Sequence, residues 1–185
     1  MHTHYIDLAP EGRIQFEIYA RLLKGVHLAN VEGHGLAVDW PEWREERGAF
    51  GRFIRIFGTE TGLAHLLIER AAPLVLNGLV KVSSGISPVP AGITATHFYL
   101  RSRKADKNTP SHRRRLERRA AQRGETYVAE VAKTRPPALH SLRIQSGSTG
   151  QSYFMDICRK PLSGTHECSQ ATADISGLGM PIPTF

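Results

Sequence analysis

Residues 111–123 read "SHRRRLERRAAQR", with six arginines between positions 113 and 123 and Glu117 as the one acid among them. The chemistry such a run suits is contact with a polyanion, because guanidinium groups fork onto phosphate oxygens and guanine edges. Leu, Ala, Arg and Gln favour a helix, and Ser111 is expected to cap it. On that helix Arg114 and Arg118 stack one turn apart, as do Arg115, Arg119 and Arg123, while Leu116 and Ala120 hold the opposite side for docking on the protein. A solvated basic face is the plain alternative, although solvated faces usually mix signs. Just upstream, "YLRSRK" sets Arg101 and Arg103 on one side of an extended stretch. That spacing suits the reading of a base edge and equally an exposed edge strand.

A second cluster is the hydroxyl-rich "IQSGSTGQSY" at 144–153. Ser146, Ser148, Thr149 and Gln151 can hold phosphate and ribose oxygens, and Tyr153 offers a ring on which a base can stack. A polar hairpin turn followed by a core tyrosine accounts for the same residues. Of the nine histidines, His27 alone has a suggestive position. It falls at the edge of the first helix's apolar stripe, about 140° from Leu22. His34, His65, His97, His112, His140 and His166 read as surface or satisfied core residues. Cys158 and Cys168 lack metal-ligand spacing and read as reduced thiols, and no carboxylate cluster suggests a two-metal nuclease. The expectation is therefore no metal and no cofactor.

The elements that must position these groups follow from periodicity. Residues 4–8 alternate weakly as a strand. Residues 12–32 form a helix with Ile14, Ile18, Leu22 and Val26 recurring every four residues, widened by Tyr19, Leu23 and Ala29. Strands are expected at 35–40 and 52–58, a threonine-capped helix at 59–72, and a strand at 78–84. The order β-α-β-β-α-β is the ferredoxin-like arrangement, common in RNA-binding domains. "SPVPAG" (87–92) reads as a linker to a smaller C-terminal α+β domain with strands at 93–100, 139–145 and 152–159 around the arginine segment. The expected division is residues 1–90 and 91–185.

The formal net charge of +7 is local, since residues 101–123 carry ten Lys/Arg against two acids and the rest fourteen against fifteen. That points to nucleic acid as the partner. No apolar run approaches the ~20 residues of a membrane span, and the start "MHTHYIDLAP" shows no signal-peptide pattern, so the expectation is cytoplasmic, with no membrane partner.

In order and spacing, "LLKGVHLANVEGHGLAVDWPEW", "RRLERR", "QSGSTGQSY" and "SGLGMPIPTF" resemble the type I-F CRISPR-associated endoribonuclease family, which cuts repeat RNA into guide units. The resemblance covers most of the chain. It implies a repeat stem-loop (crRNA) substrate with the arginine helix along its major groove. It implies metal-independent cleavage 3′ of the stem, in which the upstream 2′-hydroxyl attacks the adjacent phosphate and leaves a 2′,3′-cyclic phosphate or 3′-phosphate and a 5′-hydroxyl. It assigns His27 as general base or proton shuttle and Ser146 as the group holding the ribose in line. Ser148, Thr149 and Gln151 then contact RNA, Tyr153 stacks on the last base pair, and Arg101 reads a stem guanine. The product hairpin stays bound within a surveillance complex with other type I-F subunits, which meets target DNA only through the complex. Arg103 stands where the family usually has glutamine, and Ser176 where it commonly has tyrosine. Two other readings are a hairpin-binding subunit of such a complex with weak or no catalysis, and a generic basic RNA-binding protein.

Overall fold

The computed structural model describes residues 2–102, 110–128, 140–146, 150–162 and 175–185. It is an α+β protein with two antiparallel sheets. β1 (His4–Pro10), β2 (Ala37–Asp39), β3 (Ile54–Gly58) and β4 (Val80–Val82) form the first, in the order β2-β3-β1-β4. β5 (Ser87–Pro88) also pairs with β1. The "linker" therefore begins as an edge strand, because Ser87 and Val89 still find ladder partners on Tyr5 and Thr3. The second sheet has the order β7-β8-β6-β9, from β6 (Ala95–Ser102), β7 (His140–Gln145), β8 (Ser152–Pro161) and β9 (Ile182–Pro183).

α1 (Gln15–Val31) lies between them, packed on β1 and on β7. Its buried face carries Ile18, Leu22, Val26 and Ala29 at helical spacing, with Tyr19 and Leu23 beside them. The repeat does not start at Ile14. That residue precedes the helix, makes no capping bond and is 45% exposed. Ile6, Leu8, Ile54 and Ile56 meet α1 from the first sheet, and Leu142, Ile144, Met155 and Ile157 come from the second, so one apolar core runs through both.

The second helical segment opens as expected. Thr59 caps α2 (Glu60–His65), its hydroxyl accepting from the Gly62 N–H at 3.1 Å. It continues through a π-helical turn at Leu66–Ala71 into α3 (Ala72–Leu76), where Pro73 is tolerated at the start of the new segment. α4 (Pro110–Gln122) already begins at Pro110, so Ser111 lies inside its first turn and is not the cap. A proline suits that opening position because its missing N–H has no helical partner there. No helix among the described residues is long and apolar enough to cross a membrane.

Polar contacts also join the two sheets. Asp39 on β2 is buried, and its Oδ1 accepts from the Tyr99 hydroxyl at 2.8 Å and meets His97 Nε2 at 3.0 Å, both on β6. The far face of β3 is buried as well. Arg55 donates to both carboxylate oxygens of its cross-strand neighbour Asp7 at 2.8 and 2.9 Å and to the main-chain oxygen of Phe185 at 3.0 Å.

Candidate nucleic-acid interface

Strand alternation decides which side chains share a face. On β7, His140, Leu142 and Ile144 are buried toward α1, while Arg143 and Gln145 are exposed. The β7–β8 register sets these three opposite Ile157, Met155 and Tyr153. The β8–β6 register sets Arg101 opposite Ile157. Arg101 and Tyr153 therefore lie on the sheet face that covers α1, and the Arg101 guanidinium sits 5.2 Å from the Tyr153 ring centroid. Tyr153 is 37% exposed at the open end of that face. It is a surface aromatic held by a cation, not a core tyrosine.

Ser146 is the first residue past the end of β7. Its N–H donates to the Gln151 carbonyl at 2.8 Å, and its own carbonyl accepts from the Gly150 N–H at 3.1 Å, which closes the hairpin. Gly150 takes φ +68°, the left-handed conformation the turn needs. Ser146 is half-buried and Gln151 exposed. Arg103, Ser148 and Thr149 lie outside the described residues.

His27 is half-buried on α1, the helix that packs against β7. Its neighbour Val26 is fully buried against Gly177. A Cβ at Gly177 would stand 2.7 Å from Val26 Cγ1, so only glycine lets this backbone rest on the helix. The Gly177 carbonyl accepts from the Val38 N–H at 3.1 Å, and the Gly179 N–H donates to the Tyr99 carbonyl at 2.7 Å. The C-terminal segment thus straps α1 and β2 to β6 beside His27. Ser176 is buried in this strap.

On α4, Arg114, Arg115, Arg118 and Arg119 are exposed, Ala120 is buried and Leu116 half-buried, which is the expected division of faces. Arg115 Nη2 lies 3.0 Å from His112 Nδ1. No ion pair among the described residues reaches Arg114, Arg118 or Arg119. Arg123 departs from the expected stack. It lies past the helix end, where the chain turns, and pairs with Glu125 at 2.9 Å. A separate cleft of about 400 Å³ is lined by Phe16, Tyr19, Arg44 and Arg52 among others. From Phe16 it is about 16 Å along α1 to His27, so that cleft is not the meeting place of the residues above.

Sequence reasoning missed one grouping. His34 and His65, read as unrelated, stack with ring centroids 4.1 Å apart beside Glu32. They are 31 positions apart, and no spacing rule reaches across that distance.

In comparison with known proteins, the family described as CRISPR-associated protein (Cas_Csy4) matches residues 5–178. No curated protein matches the sequence.

Proposed function

The chain belongs to the Cas_Csy4 family of CRISPR-associated proteins, and from that premise we propose that it binds the repeat stem-loop of precursor CRISPR RNA and cuts it 3′ of the stem without a metal ion. Membership makes it a CRISPR-associated endoribonuclease of the RNA-processing type. The strand order β2-β3-β1-β4, with all neighbours antiparallel, supports the ferredoxin-like reading of the first half. The second sheet and α4 then make the C-terminal RNA-binding half.

The observation that carries the mechanism is one of placement. α1, which bears His27, packs against β7, whose sheet carries Tyr153 and Arg101 on the face toward α1, and Ser146 follows the end of β7. A stem whose last base pair rests on Tyr153 brings its 3′ phosphodiester to the seam between that face and α1. His27 takes the proton of the upstream 2′-hydroxyl, and the freed oxygen attacks the adjacent phosphorus. The P–O5′ bond breaks, a proton returns to the departing 5′-oxygen, and a 2′,3′-cyclic phosphate and a 5′-hydroxyl remain. Ser146 orients the ribose, Arg101 reads a guanine, and Arg114, Arg115, Arg118 and Arg119 follow the stem's phosphates. Arg103, Ser148, Thr149 and Gln151 contribute further RNA contacts. Proton transfer by a positioned imidazole is worth roughly 10²–10⁴-fold. The product hairpin stays bound in the cytoplasm as part of a type I-F complex.

The test is cleavage of the cognate repeat hairpin in chelator. His27→Ala is expected to lose roughly 10²–10⁴-fold in rate while keeping hairpin affinity, and a hairpin with 2′-deoxyribose at the cut site is expected to stay intact. Cleavage of the deoxy substrate, or an undiminished His27→Ala rate, refutes the mechanism. Ser176, in the strap where a tyrosine is common, favours the second reading of a hairpin-binding subunit with weak catalysis. Tight binding by the wild type without cutting selects that reading.

A further inference from the structure

We propose that Glu32, His34 and His65 form a surface site for a divalent transition-metal ion of the zinc class, at the junction of α1 with α2. One ligand atom from each of the three lies within 4.8 Å of the others, and His65 Nε2 is already 2.8 Å from Glu32 Oε2. The two imidazole rings stand nearly parallel, with 27° between their planes. Bonds of ~2.0–2.2 Å to a common ion need ligand atoms roughly 3.3 Å apart, which small side-chain rotations reach. Two neutral imidazoles and one carboxylate are a donor set for zinc and similar borderline ions. Magnesium and calcium would demand more oxygen ligands.

The backbone builds this cluster deliberately. His34 lies between Gly33 and Gly35, whose φ values of +92° and +61° turn the chain sharply after α1. Asn30 clamps the turn twice, its Nδ2 donating to the Leu36 carbonyl at 2.8 Å and its Oδ1 accepting from the Leu36 N–H at 2.5 Å. Gly62 lets α2 close on the turn, since a Cβ there would come within 3.3 Å of the His34 carbonyl.

The π-helical turn supplies the remaining element. His65 and Arg70 are five residues apart, and an α-helix would separate them by about 140°. The wider turn at Leu66–Ala71 brings positions i and i+5 onto one face, a local feature common at functional sites. Both then reach Glu32, with Arg70 Nη2 on Oε1 and His65 Nε2 on Oε2. Arg70 thereby fixes the carboxylate and leaves Oε2 toward the histidines, as hydrogen-bonded carboxylate ligands are commonly held. The side chains of Glu32 and His65 are 41% and 28% exposed, so solvent completes the coordination. Glu32 follows α1 five positions after His27 and on a different side of the helix. The ion therefore takes no part in RNA cleavage, and it pins the end of α1 to α2.

The experiment uses the full chain, freed of metal with chelator and titrated with Zn²⁺ by calorimetry, with bound metal counted after dialysis. One ion per chain at micromolar affinity is expected, with a rise in unfolding temperature on saturation. His34→Ala and His65→Ala should each weaken binding at least tenfold and abolish the thermal shift, while His112→Ala changes neither. Glu32→Gln, which keeps the size of the side chain, should weaken binding if either histidine variant misfolds by circular dichroism. Co²⁺ in place of Zn²⁺ should give visible absorption that the double variant H34A/H65A lacks. Absence of saturable binding to the wild type, or binding unchanged in the double variant, overturns the site. Hairpin cleavage in chelator is a separate readout, so failure here leaves the RNA-cleavage reading standing, and the reverse holds too.

Discussion

Substituting Gly177 by alanine tests how the C-terminal strap holds α1. Two costs act together. Gly177 has φ +80°, a conformation that costs a residue with a Cβ about 1–2 kcal/mol. The added methyl would stand 2.7 Å from Val26 Cγ1 and 3.2 Å from the Leu36 carbonyl, and overpacking of that kind costs about 1–3 kcal/mol. The sum is about 2–5 kcal/mol, or roughly 5–20 °C in Tm for a chain of this size. Gly78→Ala is the internal control. Its φ is +65°, yet a Cβ there meets nothing within 4 Å, so only the conformational share of about 1–2 kcal/mol applies. Thermal and urea unfolding of the two variants therefore separates strain from packing. Val26→Ala combined with Gly177→Ala should cost less than the two singly by about 1 kcal/mol or more, because the methyl that clashes is gone. Equal losses for Gly177→Ala and Gly78→Ala, together with additivity to within about 0.5 kcal/mol in the double variant, would show that the strap does not bear on α1.

Three further outcomes are expected. Asp39→Ala orphans the buried His97 Nε2 and leaves the Tyr99 hydroxyl only its longer bond, at 3.4 Å, to the Trp40 carbonyl, and should cost about 1–3 kcal/mol or more in urea unfolding; a loss well below ~1 kcal/mol would mean water replaces the carboxylate. If Arg114, Arg115, Arg118 and Arg119 reach four phosphates, hairpin affinity should fall with salt at a log–log slope of about −3, and Arg118→Ala should flatten it by just under one; Arg123→Ala, already paired with Glu125, should change it least. His140 is stacked on Trp43 at 3.3 Å, and burial lowers its pKa below the ordinary 6.5, opposed by its bond to the Ala49 carbonyl. The unfolded chain then binds the proton more readily than the folded one. Stability should fall as pH drops below 6.5 and level off once the folded ring is protonated as well, and His140→Phe should remove that share of the acid-side slope measured by urea unfolding.

The alternation in 4–8, the four-residue repeat through Ile18, Leu22 and Val26, the Thr59 cap and the arginine face of α4 are all legible in the sequence. Each depends on neighbours within about four residues, so local sterics and amphipathicity suffice to specify it. The same holds for the hairpin at 144–153, whose glycines and polar residues announce a turn between two strands. Boundaries shift where a long-range partner decides them. Ser87 and Pro88 are a strand only because β1 offers them an unpaired edge, and Arg123 leaves the basic stack because Glu125 lies within reach once the helix ends.

What the sequence alone determined is the kind of chemistry: an α+β chain with concentrated guanidinium charge, a hydroxyl-bearing hairpin and an imidazole on the first helix. Tertiary structure decided which elements lie side by side. β7 runs beside α1, the ladder registers carry Arg101 to Tyr153 across residues distant in the chain, and Gly177 settles on Val26 from the far C-terminus. A π turn brings His65 and Arg70 onto one carboxylate in a way that 3.6-residue periodicity cannot foretell. Such pairings are fixed by burial and hydrogen-bond satisfaction over the whole chain, and local patterns hold no record of them.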